Sequence, residues 1–282
     1  CNAQFYSHVF ATISYTLPLS PNMLALFIAY MFDRHYAPAT VNTYVSAIGF
    51  SHKLLNLADP TKAFFILQML KGYGKIGFRL DSRLPITLPI LSRLLTAASQ
   101  CLPTSFIQCQ FQAMCALAFF AFLRIGEITA SSKQSPAPLQ LNQLTKLLRD
   151  SEVIGFKLTF TDYKHNYNQR PFSMVIHRQP SPRPCPVQIL SSYLALRGNS
   201  PGPIFRTNLG TAVPRNMFIS HLNTCLKFCD LNPSFYKSHS FRIGAASFAA
   251  EQGLSDAQIH ILSRWKTNAF QKYIRVPTLT TT

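Results

Sequence analysis

Eleven consecutive residues from Ala113 to Leu123 are apolar, and a second run, Met23 to Phe32, is of the same kind. A segment with no polar face has to be surrounded on every side, so each run predicts a helix inside a core rather than on a surface. Neither reaches the roughly 20 residues needed to cross a bilayer, so no membrane partner is expected. The 282 residues, 48% of them hydrophobic, can supply such a core, and at ~100 to 200 residues per domain they predict two domains. No cationic and apolar leader opens the chain, so secretion is not expected; Cys1 in place of a methionine points to a fragment. The seven cysteines include no CxxC pair and sit largely among apolar residues, as packing thiols do in a reducing cytosolic or nuclear setting.

Charge narrows the partner. There are 27 Lys and Arg against 10 Asp and Glu, a formal charge of +17, although only 13% of residues are charged. The imbalance therefore comes from scarce acids. It favours a polyanion, nucleic acid above all, because basic side chains that neutralise phosphates release condensed counterions. The competing reading is a basic surface kept for solubility. Scarce acids also count against a metal-dependent nuclease or transposase, which needs clustered carboxylates to hold divalent ions. His221, Cys225 and Cys229 recur at four-residue intervals and could bind zinc. Without a fourth ligand they read as a buried stripe containing thiols, and no metal is expected.

Ser20-Pro21 places a capping hydroxyl before a proline at the first helical position and leads into Met23 to Phe32. Ala39 to Leu55 sets Val41, Tyr44, Val45 and Ile48 on one helical face and Asn42, Ser46, Gly49 and Lys53 on the other. That small polar face could enter a DNA groove or simply face water. Asp59-Pro60 caps a further helix, Thr61 to Lys71. Residues 72 to 84, with glycines and the bases Lys75, Arg79 and Arg83, read as a linker. Beyond it, Pro89 to Gln100 and Phe106 to Glu127 predict helices. Val153 to Tyr163 and Pro171 to Arg178 alternate as paired strands joined by a turn at Lys164 to Arg170. Helical patterns resume at Val187 to Arg197, Pro214 to Cys229, His239 to Gln252 and Ser255 to Leu262, with Gly253 as a C-terminal stop.

Cutting a phosphodiester without metal calls for a nucleophile, two guanidinium groups on the phosphate, a general acid for the leaving oxygen and a proton acceptor. The chain offers His239-Ser240-Phe241-Arg242-Ile243-Gly244, then Gly253-Leu254-Ser255, Trp265, and Tyr273-Ile274-Arg275. Upstream stands Leu123-Arg124-Ile125-Gly126-Glu127. In this order the segments resemble the tyrosine recombinase or phage integrase family, its Cre-like members in particular, and Arg242 to Trp265 aligns with Cre without a gap. Ala39 to Ile48 is similar to the second helix of the family's core-binding domain, so the resemblance runs from about residue 20 to the end. The phrase Arg264-Trp265 before Tyr273-Ile274-Arg275 resembles recombinases of eukaryotic mobile elements of the DIRS, Ngaro and Crypton types.

The resemblance implies a mainly α architecture: a helical, SAM-like core-binding domain over residues 1–84, linker included, and an α+β catalytic domain with a small antiparallel sheet over 85–282. It implies a site-specific recombinase that cleaves and rejoins strands of double-stranded DNA through a 3′-phosphotyrosyl bond to Tyr273, without metal or nucleotide cofactor. Arg124 and Arg242 would grip the scissile phosphate, Glu127 would position Arg124, and His239 would act as acid or base. Lys164, or Lys157 on the same strand, would protonate the leaving 5′ oxygen. Trp265, or Arg264 under another placement of the gap, would fill the histidine-or-tryptophan position. Asn42, Ser46, Lys53, Lys75, Arg79 and Arg83 are the candidate DNA contacts. A dimer or tetramer on DNA follows, in the nucleus if the source is eukaryotic and otherwise in the cytoplasm. The chain departs from the pattern in its shorter interval from Trp265 to Tyr273, in Ser263 where a glycine is common, and in the short stretch after Tyr273. The alternative from another class is a recombinase-derived DNA-binding protein that no longer cuts.

Overall fold

The computed structural model describes residues 17–77, 82–130, 137–161 and 170–265. The chain forms two compact units, Cys1–Asp81 and Ser82–Thr282.

Among its described residues the first unit packs three helices, α1 (Pro21–Asp33), α2 (Pro38–Leu54) and α3 (Phe64–Ile76), with a 3-10 turn at Pro60–Lys62. Ser20 Oγ accepts from the Met23 N–H at 3.3 Å, as the Ser-Pro start predicts. Leu24, Phe27, Ile28 and Met31 of α1 meet Val41, Val45 and Ile48 of α2 and Ile66 and Tyr73 of α3. Gly49 leaves the polar face expected for it: it is buried, and a Cβ there would stand 3.1 Å from Asp59 and Thr61. Helix α3 also differs from expectation. It starts after the 3-10 turn and runs through Gly72 and Gly74, so the first residues of the expected linker are helical. The reason is Tyr73, buried at 6% exposure, whose hydroxyl donates to the carbonyls of Met31 (3.2 Å) and Tyr36. Burial and hydrogen bonds of that kind outweigh a glycine penalty of ~1 kcal/mol.

The second unit is built around α5 (Ser105–Phe120), in which Phe111 and every residue from Ala113 to Phe119 are buried. Around it lie α4 (Leu88–Cys101), α6 (Ile125–Ile128), α7 (Pro186–Arg197), α8 (Arg215–Phe228), α9 (Ser240–Glu251) and α10 (Asp256–Ser263). The helix expected over Phe106 to Glu127 is two helices, because the chain turns at Phe122, φ +50°, and restarts at Ile125. Phe122 keeps its ring in the core at 6% exposure, which holds a non-glycine residue in the left-handed region.

A three-stranded antiparallel sheet, β1 (Leu144–Arg149), β2 (Glu152–Phe160) and β3 (Phe172–His177), completes the unit. The expected pair is β2 and β3; β1 is additional. Asp150 and Ser151 join β1 to β2 with both φ values positive, the turn hand that suits two twisted strands. Phe156, Leu158 and Phe160 face the core, while Lys157 is exposed on the opposite face.

Arg197, at the end of α7, is 2% exposed and donates to the carbonyls of Gly198, Ser200, Pro203 and Ile204 at 2.7 to 3.2 Å. Burial, and then the neighbouring Arg206, pull its pKa downward. Arg197→Met takes this donor from the carbonyls of Gly198, Ser200 and Pro203, while that of Ile204 keeps the Tyr193 hydroxyl at 3.0 Å. The expected loss is roughly 3 kcal/mol, or about 6 to 12 °C in Tm for a unit of this size, read by thermal unfolding.

Candidate phosphate-binding site

Arg124 lies just before α6 rather than inside a helix, with extended φ −73° and ψ 139°. Glu127 closes that short helix from within. Its Oε2 accepts from the Arg124 N–H at 2.8 Å, and its Oε1 meets Arg124 Nη1 at 3.3 Å. The carboxylate so placed orients Arg124, whose side chain stays 27% exposed.

Arg242 comes from α9 and is 1% exposed. Its Nη1 donates to the Phe122 carbonyl, and its Nη2 donates to that of Ser263 at 3.0 Å. The ring of Trp265 lies over its guanidinium, 4.7 Å from carbon to centroid. One buried side chain therefore ties the break before Arg124 to the end of α10. His239 precedes α9 but has helical backbone angles, φ −78° and ψ −20°, and its carbonyl accepts from the Arg242 N–H at 3.0 Å. It keeps the spacing of one helical turn from Arg242 and is half-buried. The helix approaches its neighbours closely here: a Cβ on Gly244 would stand 1.8 Å from the Ile86 carbonyl oxygen.

Arg264 is the residue whose setting the sequence did not indicate. It is buried at 8% exposure, its Nη2 meets Glu127 Oε2 at 2.9 Å, and its guanidinium lies 3.9 Å from the Phe160 ring centroid. Finding this from sequence would require knowing that β2 ends beside α10. Trp265, not Arg264, is the side chain stacked on Arg242. Two guanidinium groups, those of Arg124 and Arg264, thus share one carboxylate, and Arg242 is held on the carbonyl of Phe122, two residues before Arg124, an arrangement with excess positive charge that suits an anion with several oxygens.

Among the other candidates, Lys157 points from the face of β2 opposite Phe160 and is not brought to this cluster. Lys164, Arg79 and Tyr273 lie outside the described residues. Asn42, Ser46 and Lys53 are exposed on α2, with Lys53 Nζ 3.7 Å from Asp59 Oδ2. Lys75 is exposed near the end of α3; Arg83, in the second unit, is half-buried.

The stripe on α8 is internal. His221 packs edge-on to Phe111 at 6.1 Å, and Cys225 Sγ lies 3.6 Å from Cys101 Sγ. Among the described residues no group of three His, Cys, Asp or Glu converges to hold a metal. Burial holds the His221 pKa below its ordinary 6.5. On acidification the unfolded chain takes up its proton first, so stability falls as pH drops through the ordinary histidine range. His221→Gln is expected to flatten that fall between about pH 7 and pH 5, read as the urea midpoint at each pH.

No protein-family model matches the chain, and no curated protein does. Solved structures do. XerH site-specific recombinase bound to difH substrate in a pre-cleavage complex is 13% identical, with TM-score 0.58 over 92% of this chain and 68% of that one. A lambda integrase dimer bound to a COC′ core site is 11% identical, with TM-score 0.62 over 98% and 95%. The Tn1549 transposon integrase in complex with circular intermediate DNA is 11% identical, with TM-score 0.55 over 93% and 83%. At such identities the likeness is one of fold. A mainly helical chain with a small three-stranded antiparallel sheet, arranged as in these proteins, has the fold of the tyrosine recombinases and integrases.

Proposed function

We propose that the protein is a site-specific DNA recombinase that breaks and rejoins strands through a 3′-phosphotyrosyl bond to Tyr273, using neither metal nor nucleotide. The observation that carries this is that Arg242 is anchored on the Phe122 carbonyl, two residues before the start of the Arg124 and Glu127 pair, with His239 one helical turn before it and the Trp265 ring over it, in a fold shared with DNA-bound recombinases. Arg124 and Arg242 bind the non-bridging oxygens and the charge that builds on them during attack. His239 moves the proton, Trp265 donates its indole N–H or buttresses Arg242, and Lys164 protonates the leaving 5′ oxygen. Attack by a partner strand's hydroxyl reverses the step, so bond energy is conserved.

In this reading residues 1–84 form the core-binding domain, with Asn42, Ser46, Lys53, Lys75, Arg79 and Arg83 against DNA, and residues 85–282 form the catalytic domain. Synapsis calls for two or four copies. A Cre-like recombinase of a eukaryotic mobile element, working in the nucleus, fits the phrase Arg264-Trp265 and the Tyr273-Ile274-Arg275 segment.

Because the target is unknown, the test uses a pool of duplexes with randomised flanks, each carrying one nick that traps the cleaved state. The protein is incubated with the pool in the presence of a metal chelator, and DNA that stays attached after denaturation is sequenced. The expected result is attached DNA of restricted sequence with free 5′ hydroxyls. A pool retained on native gels but wholly released on denaturation would instead identify a DNA-binding module without cleavage.

A further inference from the structure

Arg264 has no assigned part in the reaction, yet it is built into the site from two sides. It ends α10 in the left-handed conformation, φ +55°, and its side chain is only 3% exposed. On one side it reaches Glu127 Oε2 at 2.9 Å. On the other its guanidinium carbon lies 3.9 Å from the ring centroid of Phe160 and 5.8 Å from that of Phe172. Those rings are the last register pair of β2 and β3, with centroids 6.1 Å apart, at the end from which residues 161–171 lead off.

The division of labour on Glu127 matters most. Oε2 is occupied by the Arg124 N–H at 2.8 Å and by Arg264 at 2.9 Å, which leaves the Arg124 guanidinium one longer contact, 3.3 Å, at Oε1. A carboxylate deprived of Arg264 would take Arg124 in a two-point fork, the preferred geometry of that pair. Donors that should face a phosphate would then be spent on Glu127.

We propose that Arg264 is a positioning residue: by occupying Glu127 it keeps the Arg124 guanidinium turned toward the scissile phosphate, and by stacking on Phe160 it fixes that pair against the base of the β2 and β3 hairpin. The proposal rests on the recombinase reading above. Arg264 touches no reacting atom; it acts through Glu127.

The test compares Arg264→Met, Arg264→Lys and the double variant Arg264→Met/Glu127→Gln with the unchanged protein, on a nicked duplex recovered from the pool. Affinity for the duplex is expected to change by less than about threefold, since one phosphate contact among many is involved. The rate of covalent attachment with Arg264→Met is expected to fall by at least roughly tenfold. On a duplex whose scissile phosphate is a methylphosphonate, with no non-bridging charge for Arg124 to hold, the deficit should shrink to less than about threefold. Arg264→Lys, which keeps a cation for Glu127, and the double variant, which removes the competing carboxylate, should each recover part of the rate. An equal deficit on both duplexes, or no recovery in either variant, overturns the proposal and marks Arg264 as a folding residue.

If the unchanged protein attaches to no duplex, the recombinase reading fails instead. The positioning is then read with inorganic phosphate against the fluorescence of Trp265, the chain's only tryptophan, which lies 4.7 Å from Arg242. Arg264→Met should need at least roughly fivefold more phosphate for the same quenching, and coincident titrations overturn the proposal.

Discussion

Tyr273→Phe is expected to retain nicked duplexes on native gels as the unchanged protein does and to leave no DNA attached after denaturation, a loss of at least roughly ten-thousandfold in attachment rate. The substitution removes one oxygen and keeps the ring, so contacts to the DNA backbone are untouched. A phenol with pKa near ~10 is a weak nucleophile at neutral pH, and Arg124 and Arg242 would both favour its anion and hold the phosphorus it attacks. With the oxygen gone only water remains, and water forms no bond to the protein. Attached DNA from the Phe variant would mean that another side chain is the nucleophile. The comparison needs only the same gel run before and after denaturation.

Gly244→Ala acts on the fold. A Cβ at this position would stand 1.8 Å from the Ile86 oxygen and 2.6 Å from its carbonyl carbon. Ile86 cannot step aside easily: it is fully buried, its N–H donates to the Ser240 carbonyl at 3.0 Å, and the Leu84 N–H donates to that of Phe235 at 2.8 Å. Helix α9 or the segment must move, against a core packed on both sides. The expected loss is at least about 3 kcal/mol, with Tm lower by roughly 6 to 12 °C. Arg242 stands two residues earlier on the same helix, so DNA attachment should fall with stability. An alanine variant that melts with the unchanged protein would show that the close approach is not needed.

Several elements could be read from the chain directly. Ser20-Pro21 marks the start of α1, and the alternation of Phe156, Leu158 and Phe160 marks β2, because in each case the local pattern and the burial agree. Strand β1 escaped because a register irregularity between Leu147 and Leu148 breaks the alternation that would have announced it. Helix α3 passes its glycines because Tyr73 is anchored to carbonyls 37 and 42 residues away in the chain. In the site, the resemblance to the tyrosine recombinases singled out Arg124, Glu127, His239, Arg242 and Trp265. It could not reveal that Arg264 turns inward, since that depends on a carboxylate 137 residues distant. Sequence order also drew Arg124 into a continuous helix, where the structure gives an extended residue at a break.

That break at Phe122 has a chemical use. In an unbroken helix the Phe122 carbonyl would be consumed by the amide one turn further on. Here it receives Arg242 instead, so the polypeptide backbone itself serves as the inner wall that stops the guanidinium from sinking deeper. A variant that wound residues 106 to 127 into one rod could keep every side chain of the motif and still lose the depth at which that cation sits.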